Sequence, residues 1–315
     1  MRTLVPPRTT LGAIARGSVI PGVGTVESVH PLISRVDRLR GRFHRNSAAY
    51  LLVTTGGHSF KCAVFRQATT AVAATAELVR RFEAGGHSDA VPAVRYADEL
   101  CLIAEYLPGR VLSPVSLTGE RASELGHFIA TRQLSADPQK DIPYRRLLEH
   151  TLASPGIDPN LQKQLGQALS RAGGLDDTPW GVCFFDSALK NYVESPQGDF
   201  SYIDLFGIAL RPLGTSLVRQ ALAVPSGHRE AFLDGWFSAT GQGSRIRDGL
   251  PGYCLHHLIY RLCHQADHPE KSVHRTGMRR RKRRQAFLVA ATELQRCLDL
   301  PHDPESFYRW ILSVR

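Results

Sequence analysis

The sequence predicts an α+β chain of two unequal lobes. Three observations carry this. β-rich runs are concentrated in the first third, and the remainder is dominated by apolar residues at three- and four-residue spacings. Two short β-rich segments, between residues 181 and 206, interrupt that helical remainder. With 315 residues, 43% hydrophobic and 22% charged, the chain can bury one large core or two smaller ones.

Residues 1 to about 30 are rich in Pro, Gly and Thr without a sustained period, which predicts an extension or an extra edge element. From Ala48 the runs AAYLLVTT and SFKCAVFR flank Gly56-Gly57-His58, the composition of a hairpin. TAVAATAELVRRFEAGG then predicts a helix closed by Gly85-Gly86. Two further strands follow in AVPAVRYAD and ELCLIAEYLPG. Beyond Gly109, helical spacing runs through RASELGHFIATRQLSA, PYRRLLEHTLA and DPNLQKQLGQALSRAGG. GVCFF and FSYIDLF are the interrupting strands. Helices resume in LVRQALAV, REAFLDGWFSATG, YCLHHLIYRLCHQA and QAFLVAATELQRCL. The predicted division is 1–30 as an extension, 31–108 as the first lobe and 109–315 as the second, the lobes meeting near Glu105 to Gly109.

Six cysteines lie far apart with no CxxC pair, which argues against a disulfide scaffold or a zinc knuckle and for a reducing compartment. The N-terminal apolar stretch is interrupted by Arg16, Gly17 and prolines, so it fits neither a signal segment nor a spanning helix. The expectation is a soluble, cytoplasmic protein. Its net charge of +10 favours anionic partners without choosing among them.

The residues that could carry chemistry begin with Asp186, Asn191 and Asp204, placed at the ends of short apolar runs. A carboxylate that accepts a hydroxyl proton, followed by an amide and a carboxylate that hold Mg²⁺, is what phosphoryl transfer needs. Alone, the set reads equally as a hairpin with polar ends. Lys61, in the strand after the glycine turn, precedes Glu77 in the next helix by sixteen residues, and a helix glutamate can keep a lysine directed at phosphates. Taken singly, each would be a surface residue. Chance agreement of the lysine, the glutamate, the EYLPG strand and the Asp-Asn-Asp set, in one order, is much rarer.

Over Val36 to Leu213 the chain resembles the protein-kinase-like superfamily, in its aminoglycoside-phosphotransferase and other small-molecule or bacterial kinase branches. The segments that carry the resemblance are FDSALKN, YIDLFG, AELVRRFEAGGHSDAVPAV and LIAEYLPGRVL. It implies a bilobal kinase-like fold with a small antiparallel sheet plus helix above a mostly helical lobe. It also implies Asp186 as catalytic base, Asn191 and Asp204 as Mg²⁺ ligands, Lys61 as the phosphate-contacting lysine and Glu77 as its partner. Backbone groups around Glu105 to Leu107 would hold the adenine of ATP. Two departures stand out: Phe184 occupies the position commonly held by a loop-bracing histidine, and RGRFHRNSAAY is poor in glycine. NSAAY is similar to the short serine turn of this branch, making Ser47 a candidate phosphate contact. Arg66 rivals Lys61, but an odd separation puts the two on opposite faces of a regular strand.

Other conspicuous residues support blander readings. The run Arg279 to Arg284 could bind nucleic acid or an anionic membrane, or be a solvated helix start. Cys263, His264, His268 and His274, and likewise His256-His257, read as helix surface rather than a metal site. Cys183 reads as core. The expected activity is ATP- and Mg²⁺-dependent transfer of the γ-phosphoryl group to a hydroxyl of a small-molecule, saccharide or other acceptor. Net charge favours an anionic acceptor, while Glu120, Glu124, Asp137, Asp141, Glu149, Asp158, Asp176 and Asp177 keep a cationic one open. The alternative is a catalytically degenerate kinase-like module that docks an anionic polymer through residues 279–284.

Overall fold

The computed structural model describes residues 14–32, 47–65, 67–136, 159–171, 178–266 and 277–314. PYRRLLEHTLA, Arg66, His268 and His274 lie outside them, as do the side chains of Ser47, Cys263, His264 and Arg279 to Arg284. The chain divides into two compact units, Met1–Leu112 with Lys190–Ala209, and Ser113–Leu189 with Leu210–Arg315.

In the first unit, β1 (Val19–Ile20), β2 (Gly24–Pro31), β3 (Ser47–Thr54), β4 (Ser59–Phe65), β5 (Val94–Ala97) and β6 (Cys101–Glu105) form an antiparallel sheet in the order β1-β2-β3-β4-β6-β5. Strand period sorts its side chains. Phe60, Cys62, Val64, Cys101 and Ile103 enter an apolar core with Leu52 and Val26, leaving Lys61, Ala63, Leu102 and Ala104 for the other face. The hairpin turns at Gly57, whose φ of 78° suits glycine. Residues 14–31 supply one edge of the sheet: β2 pairs along β3 with β1 outermost, and Ile14, Ile20, Val23 and Val26 complete the core.

Helix α1 (Thr70–Ala84) starts at Thr69, whose hydroxyl accepts the Ala71 amide, and buries Val72, Ala76, Val79 and Phe82. Strand β7 (Arg110–Val111) pairs with β10 (Tyr192–Glu194), which pairs with β11 (Phe200–Tyr202). Lys190–Ala209 thus belongs with the N-terminal unit, although its place in sequence assigned it to the second lobe.

The second unit holds β8 (Leu134–Ala136), β9 (Trp180–Phe184) and the end of β12 (Ile208–Pro212), in the order β12-β9-β8. Its helices among the described residues are α2 (Gly119–Arg132), α3 (Pro159–Arg171), α4 (Leu213–Ala223), α5 (Arg229–Ala239), α6 (Gly243–Asp248), α7 (Leu250–Ala266), α8 (Gly277–Asp299) and α9 (Pro304–Ser313). Helix α2 stops four residues before the helical pattern predicts. Gln133 turns extended, and Leu134 pairs with Val182 instead. Helix α8 runs unbroken through the basic run. Helix α7 carries Tyr253, Cys254, Leu255, Leu258 and Ile259 fully buried. No helix among the described residues is long and apolar enough to cross a membrane. The fold is thus an antiparallel sheet with one helix, joined in sequence to a mostly helical unit.

Candidate functional site

The face of the first unit's sheet opposite its apolar core lines a mainly apolar pocket of about 530 Å³, open solvent at its mouth included. Ala63, Pro92, Leu102, Ala104, Leu107 and Leu205 form its walls, and Lys61 is the cation among its lining residues. Glu105, Tyr106 and Leu107 line the same pocket. The Glu105 amide bonds the Ala93 carbonyl and the Tyr106 amide the Ser59 carbonyl, which fixes this stretch of main chain along the pocket wall. A mainly apolar pocket of this kind can accept an apolar or aromatic ring.

Asp204 follows β11, and a 3₁₀ turn, Leu205–Gly207, begins just after it, closed by the Gly207 amide on the Asp204 carbonyl. Asn191 ends another 3₁₀ turn and is buried. The Ile203 amide bonds the Asn191 carbonyl at 2.8 Å, which clamps the two segments together. The Asn191 Nδ2 then donates to the Asp204 carboxylate at 3.4 Å. Lys61 Nζ donates to the Ile203 carbonyl at 3.2 Å. Burial pulls the Lys61 ammonium below the ordinary lysine value, while the Asp204 carboxylate draws it back up. Lys61, Asn191 and Asp204 therefore meet at one end of the pocket. The amide and carboxylate of Asn191 and Asp204 offer hard oxygens at neighbouring positions, a donor set that fits Mg²⁺ sharing its sphere with phosphates and water.

One sequence expectation fails here. Glu77 does not pair with Lys61: it is half-exposed and bridges Arg80 and Arg81, one turn on along its own helix. The charge Lys61 feels comes from Asp204 instead, a partner that spacing along the chain does not reveal. Ser47 opens β3, and its side chain and Arg66 lie outside the described residues.

Asp186 belongs to the second unit, exposed just beyond the end of β9, and its Oδ1 accepts the Ala188 amide at 3.4 Å. Phe184, ahead of it, is fully buried and stacks on Phe128 at 5.9 Å between ring centroids. Cys183 is core, as its apolar setting predicts, with burial pushing its thiol up to about 12. Cys62, Cys101, Cys254 and Cys297 are buried free thiols as well. His256 and His257 are a second correction. Both are buried in α7 rather than on its surface, and both are held neutral there, His256 down to about 3. Desolvation leads in each case. Arg211 and Arg219 add to it at His256, and Arg219 and Arg261 at His257. Among the described residues no three His, Cys, Asp or Glu side chains cluster as a metal site.

No family model matches the sequence, and no curated protein matches it. Solved structures do match the fold. A choline/ethanolamine kinase family protein from Mesorhizobium loti is 12% identical, with 97% of this chain and 99% of that chain covered at a TM-score of 0.59. An aminoglycoside phosphotransferase from Alicyclobacillus acidocaldarius is 11% identical, with 99% and 98% covered at 0.54. The amicoumacin kinase hAmiN, in complex with AMP-PNP, Ca²⁺ and Ami, is 11% identical, with 85% and 90% covered at 0.55. The chain has the protein-kinase-like fold of small-molecule kinases.

Proposed function

We propose that the protein is a phosphotransferase that moves the γ-phosphoryl group of ATP to a hydroxyl of a small-molecule acceptor. The observation that carries this reading is the meeting of Lys61, Asn191 and Asp204 at one end of an apolar pocket walled by Glu105 to Leu107. A purine would fill the pocket against that main chain. The Lys61 ammonium, aimed by the Ile203 carbonyl, would then bind phosphate oxygens. Asn191 and Asp204 would hold Mg²⁺, which supplies charge neutralisation on the phosphates when bound. Asp186 would take the proton of the acceptor hydroxyl, a role its exposure permits. The chain's likeness to a kinase solved with AMP-PNP and Ca²⁺ supports a nucleotide and a divalent ion as ligands.

Titration with ATP, with and without Mg²⁺, while following the melting temperature tests the reading. A metal-dependent rise is expected by mass action. Asp204→Asn should remove most of that rise. Asp186→Asn should keep it and lose turnover, because the base acts on the acceptor. An Asp204→Asn variant that responds to Mg-ATP like the parent would sink the metal assignment.

A further inference from the structure

Helix α4 delivers two consecutive side chains to the strand end that carries Asp186. Gln220 Nε2 donates to the Phe184 carbonyl at 3.0 Å, and Arg219 Nε donates to the Phe185 carbonyl at 3.1 Å. The Arg219 guanidinium also lies over the Phe185 ring, 4.2 Å from its centroid, and faces the Tyr260 ring at 5.1 Å. Gln220 is buried and is itself held, its Oε1 accepting from Gln133 Nε2 at 3.4 Å.

These contacts sit where the backbone loses its own support. Strand β9 ends at Phe184, so the carbonyls leading into Asp186 must find partners outside the sheet ladder. Arg219 and Gln220 supply them on successive residues. The stacked guanidinium further restrains Phe185, the residue bonded directly to Asp186. The Phe184 side chain is apolar and stacks on Phe128, so it offers the loop no hydrogen bond.

We propose that Arg219, seconded by Gln220, is a positioning residue that fixes the main chain ahead of Asp186 from outside the loop. This rests on the phosphotransferase reading, in which Asp186 is the base. A base displaced by even about 1 Å loses on the order of 100-fold in rate, so the brace is expected to act on turnover and not on nucleotide binding.

The test compares Arg219→Met, Arg219→Lys and Asp186→Asn in the full chain, using Mg-ATP hydrolysis with water as acceptor. In that reaction the water oxygen bonds the γ-phosphorus, the bond to the β-phosphate oxygen of ADP breaks, and Asp186 takes the water proton. Arg219→Met should lower kcat by about 100-fold while the Kd for Mg-ATP, from calorimetry, stays within about twofold. Arg219→Lys keeps the charge but not the planar fork, and should fall between Met and parent. Hydrogen exchange of the peptide spanning residues 183–188 should speed up in both. Parent-like kcat in either folded variant, or kcat and Kd worsening in parallel, overturns the proposal. If Arg219→Met does not fold, Arg219→Lys decides by the same criteria. Loss of turnover in Asp186→Asn beside an unaffected Arg219→Met refutes the brace alone, whereas full turnover in Asp186→Asn refutes Asp186 as the base, the part of the phosphotransferase reading on which the brace rests.

Discussion

At the scale of single residues, the partner of Lys61 is the point on which sequence spacing misleads. A helix places Glu77 beside Arg80 and Arg81 by its own periodicity, and those exposed pairs contribute little. Lys61 instead finds the Ile203 carbonyl and the field of Asp204, 142 and 143 residues further along the chain. Lys61→Ala is therefore expected to cut phosphotransfer by at least about 100-fold, and Glu77→Gln by less than about threefold, measured as kcat/KM for ATP. A dead Glu77→Gln variant would restore the helix glutamate to the site. Arg229 offers a structural counterpart. It is buried, and its guanidinium serves the carbonyls of Val224, Ile311 and Val314, tying the end of α4 to the end of α9. Arg229→Met would leave these carbonyls without their donor and should cost about 3 kcal/mol in urea unfolding.

At the scale of elements, alternation along β4 and β6 is legible because a strand has only two faces. Lys61 and Ala63 face the pocket while Phe60, Cys62 and Val64 fill the core. The seam between α2 and α5 is not legible. A Cβ on Gly126 would strike the Phe232 carbonyl, and one on Gly235 would strike the Ser123 carbonyl, so the two helices touch backbone to backbone. In sequence these glycines look like weak points of their helices. In the fold they are what permits the approach. Gly235→Ala gains helix propensity, yet it should lower stability by about 1–3 kcal/mol through overpacking. An increase in the urea midpoint would show that the helices can part at no cost.

At the scale of the whole molecule, His256 and His257 contribute to the response to acid. Their folded pKa values lie below the ordinary 6.5, so the unfolded chain takes up protons first as pH falls. Stability is fully retained above about 6.5 and is lost as pH drops toward the folded values. For His256 the loss is about 2 kcal/mol by pH 5, and His257 acts in the same direction. The midpoint of urea unfolding should fall between pH 7 and pH 5, and His256→Gln should flatten part of that fall. An unchanged pH slope in the variant would mean that His256 takes up its proton in the folded chain near its ordinary pKa.

The sequence by itself determined the strand and helix inventory of most of the chain and the kinase-like fold class, and it singled out Lys61, Asn191 and Asp204 as candidates. Local periodicity and turn chemistry are written in neighbouring residues. Only the tertiary structure decided that Gly24–Pro31 is a full strand of the sheet and that Lys190–Ala209 folds with the N-terminal unit. The same holds for the end of α2 at Arg132 and for the approach of Arg219 and Gln220 to the strand end before Asp186. Each depends on pairing between segments distant in sequence. Which carbonyl or charge a side chain meets across such a distance is fixed by packing and desolvation, and no local pattern encodes it.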